Sequence, residues 1–373
     1  MKTKLSLKEK FAFKFIFNEK RVYQYWYGRF LLFQLDYGRI KRVIPRIHSW
    51  FDWCQEWAKE GDQVYKSAEA ELSKGHLLTA RQLFHQATAC YHVGQHFYFI
   101  DKEQKEGAQQ KARKSYQRAI SLYEEQDRPL RIEIPYRGKK IPGYLHLSKE
   151  KNRPLIIQLN GMDNIKEAEN HYFAQFLTPH GYNFFAFDGP GQGEIWKDFK
   201  FDYTEYPSVV KTIIDWFENN RYEMNISKIS LFGFSLGGFL APYCASFEEN
   251  RVCCVVGNSG FAKIGGFRGA KKLKPLNLRG IPYMTGCEDL TEAVKKFDLD
   301  ITAAPRLQQP LLYFHSGKDE VIPSPEEQAK IVMDWAEGEK ELRFYPEATH
   351  CTVDYLDEVL PYIVDWYQKH LNS

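Results

Sequence analysis

The sequence predicts an α/β protein, in which a mostly parallel, twisted sheet is flanked by helices and preceded by an all-helical domain. Residues 1–127 contain few glycines or prolines and long amphipathic runs such as SAEAELSKGHLLTARQLFHQATACYHVGQHFYF, which are typical of helices. From Pro129 onward, short apolar runs alternate with helical patterns, as in a parallel sheet covered by helices. We therefore expect a helical cap domain at residues 1–127 and a sheet domain at residues 128–373.

The sheet domain opens with LRIEIPYRGKKIPGYLHL, a pattern that predicts a β-hairpin. The later strands are predicted around six positions: Ile157, Phe185, Ser230, Val255, Tyr313 and Phe344. A final amphipathic helix is predicted from Val353 to His370.

The stretch KISLFGFSLGGFLAP, residues 228–242, runs from a strand pattern into the start of a helix. Ser235 lies two residues from Gly233 and two from Gly237, the spacing needed by a sharp strand-to-helix turn that exposes a nucleophilic serine. Glycines around a serine also occur in ordinary turns. The buried strand before Ser235 and the helical spacing after it favour the nucleophile.

A serine hydroxyl needs a base to take its proton and a carboxylate to orient that base. Downstream of Ser235, Asp319 and His350 each follow a predicted strand, and the order Ser, Asp, His is that of α/β-hydrolases. Two alternatives stay open for the acid: Glu320 adjoins Asp319, and Asp319 could instead cap the following helix. His315 lies inside an apolar strand and is interpreted as a core histidine.

Such an enzyme also needs N–H donors for the oxyanion of its tetrahedral intermediate. One candidate is the backbone N–H of Leu236, the residue after the nucleophile. The other is the N–H of Met162, in the loop after the strand at Ile157, where Gly161 would let the backbone approach the substrate.

The composition of the 373-residue chain fits a soluble enzyme with one large or two moderate domains, since 43% of its residues are hydrophobic. It has no run of about eighteen apolar residues, so we expect no stable membrane insertion. Seven cysteines without a CxxC pair and an N-terminus interrupted by charges favour a cytoplasmic location. Metal-ligand spacings, Walker loops and dinucleotide fingerprints are missing from the sequence, so neither a metal nor a cofactor is expected.

The basic residues are concentrated at the N-terminus. Residues 1–49 hold twelve Lys or Arg against three Asp or Glu and are rich in aromatics: Phe11, Phe13, Phe15, Phe17, Tyr23, Tyr25, Trp26, Tyr27, Phe30 and Phe33. Such a segment could lie on a membrane or bind nucleic acid. Without a nucleic-acid motif, we instead expect its aromatics to pack on the catalytic domain or on a second subunit, and no nucleic acid to bind.

Four segments resemble those of the FrsA-like α/β-hydrolases, a family that includes dihydropseudooxynicotine hydrolase and fungal polyketide-shortening hydrolases. They are GHLLTARQLFHQATACYHVGQHFYF, NGMDNIKE, FAFDGPGQGE and GFSLGG, and they span roughly residues 70 to 350. The resemblance implies an α/β-hydrolase fold under a helical cap, frequent dimerisation, and cleavage of esters, amides or activated C–C bonds. By position it implies Ser235 as nucleophile, Asp319 as acid and His350 as base, with the Met162 and Leu236 amides as the oxyanion hole.

This chain departs from the family's usual Gly-Gly-Leu-Asp-Ser by having Asn-Gly-Met-Asp-Asn at residues 160–164, which leaves the second oxyanion donor open. Four residues near strand ends are candidates for lining the substrate site: Gly161, Asp163, Asp188 and Glu194. Such a loop is more often structural, with its glycines providing a turn, so Asp188 and Glu194 rank below the triad as site candidates.

A lid-like insertion is predicted at about residues 261–307. Its basic residues are Arg268, Lys271, Lys272, Lys274 and Arg279. They could attract an anionic substrate or a substrate bound to a carrier protein, but a solvated loop is the preferred interpretation.

The leading hypothesis is a serine hydrolase that cleaves an ester or a ketone-activated C–C bond of an aromatic or polyketide-like small molecule through an acyl-enzyme. An alternative is an acyltransferase or cyclase of secondary metabolism that uses the same triad. A regulatory binding protein that keeps the fold is a third hypothesis, and the intact Ser, Asp and His argue against it. A homodimer formed through the cap is also expected.

Overall fold

A computed structural model describes residues 19–371 together with Leu7, Lys10, Phe13 and Lys14. The chain divides into two compact units. The helical unit comprises residues up to Arg128 and the segment Glu167–Tyr172. The sheet unit comprises Pro129–Lys166 and the residues from Phe173 onward.

The described part of the helical unit contains five long or moderate helices. They are α1 (Glu19–Leu32), α2 (Tyr37–Val43), α3 (Trp50–Ser73), α4 (Leu77–Gln95) and α5 (Lys102–Ile120). A capping box between Ser49 and Asp52 begins α3, and the Asp101 side chain accepts the Gln104 N–H at the start of α5. Small buried side chains such as Ala68, Ala80 and Ala119 let these helices approach closely.

The core of the helical unit is rich in stacked aromatic rings. Trp26 of α1 lies 4.6 Å from Trp53 of α3 between ring centroids, and Trp53 lies 4.9 Å from Trp50. Phe30 and Phe33 are also buried. These aromatics of the N-terminal segment therefore contact rings of their own unit, whereas the sequence led us to expect contacts with the catalytic domain or a second subunit.

Several aromatics of the basic N-terminal segment lie outside the described residues or in the stretch whose side chains are not described: Phe11, Phe15, Phe17, Tyr23 and Tyr25. Among the described residues, no helix combines the length and the apolar character that a membrane span requires.

The sheet unit is built on eight strands. They are β1 (Leu130–Tyr136), β2 (Lys139–His146), β3 (Pro154–Leu159), β4 (Asn183–Phe187), β5 (Asn225–Phe234), β6 (Val252–Asn258), β7 (Leu311–Ser316) and β8 (Lys340–Tyr345). Their order in the sheet is β1-β2-β4-β3-β5-β6-β7-β8. The β1–β2 hairpin is antiparallel and β2 pairs antiparallel with β4, while all the other pairs are parallel.

This arrangement confirms the predicted mostly parallel sheet and every predicted strand centre. Strands β3, β4 and β7 are buried along their whole length, because helices cover both faces of a parallel sheet. The apolar runs that predicted these strands are the consequence of that burial.

Helices connect the strands. They are α6 (Glu169–Leu177), α7 (Tyr206–Asn219), α8 (Leu236–Ala245), α9 (Gly266–Ala270), α10 (Pro275–Thr285), α11 (Leu290–Lys296), α12 (Pro325–Trp335) and α13 (Leu356–Leu371). The short helices α9, α10 and α11 occupy the insertion between β6 and β7. Whether this insertion acts as a lid stays a prediction. The final helix begins at Leu356, three residues later than predicted.

Because β3, β4, β5, β6, β7 and β8 run parallel, their carboxyl ends meet at one edge of the sheet, where ligands bind in such folds. Four loops leave this edge, and we call them the β3 loop (residues 160–166), the β4 loop (188–194), the β7 loop (317–323) and the β8 loop (346–355).

Candidate active site

Ser235 lies between the end of β5 and the start of α8, with φ of 57° and ψ of −120°. Only a sharp turn places a serine in this region of backbone space, and such conformations cost about 1–3 kcal/mol for a residue other than glycine. The Ser235 N–H donates to the Asn258 carbonyl at 2.9 Å, and the Ser235 carbonyl accepts from Gly238 N–H at 2.8 Å. The turn is thus held by β6 on one side and by α8 on the other.

The glycines around Ser235 are required by close backbone contacts. A Cβ on Gly233 would overlap the Gly237 carbonyl, and a Cβ on Gly237 would overlap the carbonyl of Leu159 at the end of β3. Any larger residue at either position would push the turn away from the sheet. This is the physical basis of the spacing seen in the sequence.

Ser235, His350 and Asp319 lie in one line of hydrogen bonds. Ser235 Oγ is 2.8 Å from His350 Nε2, and His350 Nδ1 is 2.7 Å from Asp319 Oδ2. Asp319 Oδ1 also accepts the backbone N–H groups of Val321 and Ile322, both at 2.8 Å, so the carboxylate is fixed within the β7 loop. The structure therefore brings Ser235 together with His350, 115 positions away along the chain, and with Asp319, which lies 31 positions before His350.

The surroundings of His350 control its charge. Burial of the imidazole lowers its pKa, but the Asp319 carboxylate and the adjacent Cys351 raise it more strongly, so the pKa of His350 lies well above its ordinary value of 6.5. The Nδ1–H of the ring is directed to Asp319 in the neutral form, which leaves the Nε2 lone pair for the Ser235 hydroxyl.

Glu320, the other candidate for the acid, contacts the backbone of His350 instead of its ring. Its Oε2 accepts the His350 N–H at 3.0 Å. Glu320 thereby helps to position the β8 loop, and Asp319 is the carboxylate that reaches the imidazole.

Polar side chains at the ends of β6 and β7 hold the β8 loop. Asn258 Nδ2 donates to Thr352 Oγ1 at 2.8 Å, and Ser259 Oγ accepts the Cys351 N–H at 3.1 Å. Ser316 Oγ accepts the Thr352 N–H at 3.1 Å. Cys351 and Thr352 have positive φ angles of 65° and 49°, so these bonds fix a backbone conformation that the loop would otherwise leave.

The β3 loop passes close to Ser235. A Cβ built on Gly161 would lie 3.5 Å from both the Ser235 Cβ and the Phe234 carbonyl, which is ordinary van der Waals contact, so the backbone at Gly161 runs directly beside the nucleophile. Gln192 of the β4 loop donates from Nε2 to the Gly161 carbonyl at 2.7 Å and to the Asn160 carbonyl at 3.2 Å.

Asp188 and Glu194 of the β4 loop belong to a buried charged network. Asp188 accepts the backbone N–H of Lys166 at 3.0 Å and its Nζ at 2.8 Å, and both side chains of this ion pair are fully buried. Lys166 Nζ also lies 2.9 Å from Glu194 Oε2, and Arg131 binds Glu194 from the other side at 2.9 Å. These contacts connect the β4 loop to the β3 loop.

His315 is fully buried in β7, and burial lowers its pKa to about 4. Its Nδ1 accepts the Ser316 N–H at 3.0 Å. These surroundings are those of the neutral core histidine that the sequence led us to expect.

The family model described as "Esterase FrsA-like" matches residues 48–372. The chain belongs to the FrsA-like esterase family. It is therefore a member of an esterase family with the α/β-hydrolase fold, as the sequence predicted. The FrsA-like match spans both the helical unit and the sheet unit.

Among the relatives of this FrsA-like chain is 2,6-dihydropseudooxynicotine hydrolase of Paenarthrobacter nicotinovorans. It is 30% identical over 234 residues, which cover 61% of this chain and 60% of the relative. The 20-hydroxy-prefusarin hydrolase of Gibberella moniliformis is 33% identical over 132 residues, which cover 33% of this chain and 32% of the relative. The chain thus spans less than two thirds of the length of these relatives.

A crystal structure of 2,6-dihydroxy-pseudo-oxynicotine hydrolase matches the fold with a TM-score of 0.81 and 22% identity, over 92% of this chain and 95% of that one. At this identity the likeness concerns the fold. It confirms the predicted fold class.

Other predicted site residues of this FrsA-like esterase stay predictions. Leu236 and Asp163 are buried, Met162 is half-buried, and their roles in binding an oxyanion or substrate are untested. The contacts of Asp188 and Glu194 connect two loops through ion pairs with the buried Lys166. This agrees with the structural interpretation of the DGPGQGE segment, whereas a role in lining the substrate site stays a prediction.

The sequence reasoning missed the residues that support the site, apart from Glu320, which it named only as an alternative acid. Lys166, Gln192, Asn258 and Glu320 act through partners that lie between 22 and 94 positions away along the chain. One sequence feature could have indicated them: polar side chains directly follow β4 and end β6, and such positions meet at the ligand-binding edge of a parallel sheet.

Proposed function

We propose that this FrsA-like esterase is a serine hydrolase that cleaves an ester or a ketone-activated C–C bond of an aromatic or polyketide-like small molecule. The observation that supports this proposal most is the continuous hydrogen-bonded line from Ser235 Oγ through His350 to Asp319. Each member stands at the carboxyl edge of the sheet on its own loop, and Ser235 is presented by a strained turn.

In the first half of the reaction, Ser235 Oγ attacks the carbonyl carbon while its proton passes to His350 Nε2. Asp319 stabilises the imidazolium that forms and holds its Nδ1–H in place. The bond to the leaving group then breaks and His350 returns the proton to that group. An alcohol leaves from an ester, and a carbon stabilised by its own carbonyl leaves from an activated ketone.

In the second half, water attacks the acyl-enzyme and gives a proton to His350. The tetrahedral intermediate then expels Ser235 Oγ, which recovers that proton, and the carboxylic acid departs. The negative oxygen of each intermediate would be bound by the Leu236 N–H, at the start of α8, and by the Met162 N–H of the β3 loop.

The proposed substrate class comes from the relatives. One is named for hydrolysis of 2,6-dihydropseudooxynicotine and another for hydrolysis of 20-hydroxy-prefusarin. Together with the resemblance to polyketide-shortening hydrolases, these names support a small organic substrate with an activated carbonyl.

A fluorophosphonate probe tests the nucleophile. We expect it to label the wild-type protein, and we expect Ser235→Ala to lose both labelling and about 10⁴- to 10⁶-fold of the turnover, as in other triads. Ser246→Ala is the matched control, because Ser246 is a buried serine at the far end of α8 whose Oγ donates to the Tyr243 carbonyl. Labelling that persists in Ser235→Ala would exclude Ser235 as the nucleophile.

Product analysis then separates hydrolysis from acyl transfer. The wild-type protein is incubated with an activated ester in the presence and absence of an amine or alcohol acceptor. Hydrolysis predicts the free acid as the main product under both conditions. An amide or new ester as the main product would establish the acyltransferase alternative.

A further inference from the structure

We propose that Gln192 is a positioning residue that sets the direction of the oxyanion-binding N–H of Met162. The inference rests on the proposed function, since it concerns the same intermediate. It starts from a single peptide unit, the one that contains both the Gly161 carbonyl and the Met162 N–H.

The geometry of that peptide unit couples its two polar groups. A trans peptide is planar, so its C=O and N–H point in opposite directions. Gln192 Nε2 donates to the Gly161 carbonyl at 2.7 Å, which holds this carbonyl toward the β4 loop. The Met162 N–H of the same unit is therefore held away from the β4 loop.

Gln192 Nε2 also donates to the carbonyl of the preceding peptide unit, that of Asn160, at 3.2 Å. Two successive peptide units thus share one donor, and rotation of either would break a hydrogen bond that is buried for Asn160 and partly buried for Gly161. Asn160 adds a further constraint, because its Nδ2 donates to the Phe187 carbonyl at the end of β4 at 2.8 Å.

The Gln192 side chain is itself fixed and only 2% exposed. Its Oε1 accepts the Gly189 N–H at 3.2 Å and lies 3.2 Å from the Tyr206 hydroxyl, whose single proton is shared with the Pro190 carbonyl at 2.9 Å. The Gly189 N–H decides which end of the amide faces the β3 loop: the oxygen faces this donor, so the nitrogen points to the carbonyls of Asn160 and Gly161.

The buried ion pair closes the other end of the β3 loop. Asp188 binds Lys166 through both its backbone N–H and its Nζ, at 3.0 and 2.8 Å. Gln192 therefore holds the start of the β3 loop (residues 160–166), and Asp188 holds its end. Both side chains belong to the β4 loop. The β4 loop thus preorganises the oxyanion site.

Gln192→Glu is the sharpest test, because it keeps the size of the side chain and the acceptor for Gly189 and Tyr206. It replaces the donor with an oxygen that repels the Gly161 carbonyl. With p-nitrophenyl butyrate we expect kcat to fall about 100-fold, as when an oxyanion donor is lost, while KM changes less than about threefold. Gln192→Met, which removes the donor without adding a charge, should show the same split.

Gln309→Glu is the matched control. Gln309 is also buried and donates to a backbone carbonyl at 2.7 Å, but that carbonyl is Ala245 O, at the end of α8 away from Ser235. Its Oε1 has no hydrogen-bond partner within the described part of the chain, so a buried carboxylate there should destabilise the fold at least as much. We expect Gln309→Glu to lower the Tm while keeping kcat within about threefold of wild type.

The outcomes separate the two proposals. If fluorophosphonate does not label the wild-type protein, the serine-hydrolase proposal falls and this inference falls with it. If the wild-type protein is labelled and both Gln192 variants keep wild-type kcat, only the positioning role is overturned. A fall in kcat that Gln309→Glu matches would likewise overturn it, because the loss would then follow stability.

Discussion

Two buried aspartates, Asp188 and Asp319, occupy similar places at the carboxyl edge of the sheet but have different partners. Each accepts two backbone N–H groups and one side-chain nitrogen. The side-chain nitrogen is Lys166 Nζ for Asp188 and His350 Nδ1 for Asp319.

The partner decides what each carboxylate can do. A lysine ion-paired with a buried carboxylate keeps its proton, so the pair between Asp188 and Lys166 is a fixed connection between two loops. A histidine gains and loses a proton near neutral pH, so the pair between Asp319 and His350 can take part in proton transfer. A buried carboxylate at a strand end is therefore not by itself a sign of catalysis.

The largest expected effect is on turnover in Asp319→Asn. The amide cannot stabilise the imidazolium and favours the wrong tautomer of His350, so we expect kcat to fall about 10⁴-fold with little change in Tm. Steady-state kinetics with an activated ester measures it. Glu320→Gln is the control, because its amide oxygen can still accept the His350 N–H, and its rate should stay within about threefold of wild type. The reverse ranking would make Glu320 the acid.

The next effect is on stability in Asp188→Asn. This change removes one of the two carboxylates beside the buried Lys166 ammonium and leaves only Glu194, so we expect the free energy of unfolding to fall by about 1–3 kcal/mol. Urea unfolding measures the free energy of unfolding. Asp198→Asn is the matched control, since Asp198 forms an exposed pair with Lys139 and such pairs contribute about 0–1 kcal/mol. Equal decreases in the free energy of unfolding in the two variants would show that the buried ion pair stabilises the protein no more than the exposed one.

The smallest effect is a displacement of the pH profile. His350 must be neutral to accept the serine proton, and its pKa lies above 6.5, so kcat/KM should fall as the pH drops through a value above 6.5, by about tenfold per unit below it. In Asp319→Asn the carboxylate that raises the pKa is gone, and the residual activity should have its acid limb at lower pH. The rate of fluorophosphonate labelling, measured at a series of values between about pH 5 and pH 9, gives the pH profile of the wild-type protein and of Asp319→Asn. A wild-type limb below 6.5 would contradict the electrostatics of the pair.

These pairs also show what the sequence could and could not predict. Strands such as β3 and β7 were predicted because burial on both faces requires an apolar run, and Ser235 was found because its turn requires glycines at fixed spacing. Local patterns of this kind are written in consecutive residues.

Contacts between distant residues leave no such pattern. The order Ser, Asp, His pointed to Asp319 as the partner of His350, but nothing in the sequence indicated that Asp188 meets Lys166, 22 positions away. The same holds for the segment Glu167–Tyr172, which belongs to the helical unit although it directly follows the β3 loop of the sheet unit. Tertiary packing decides both.

The backbone of Ser235 has φ of 57° and ψ of −120°, so turnover and stability favour different residues at this position. Glycine would adopt this conformation without strain, so the protein with glycine at position 235 should be the more stable one, by an amount on the order of 1 kcal/mol. Selection on turnover keeps the serine in place. A protein with glycine at this position is therefore expected to keep the fold and to lose turnover, so this one residue would distinguish an active member of the fold from an inactive one.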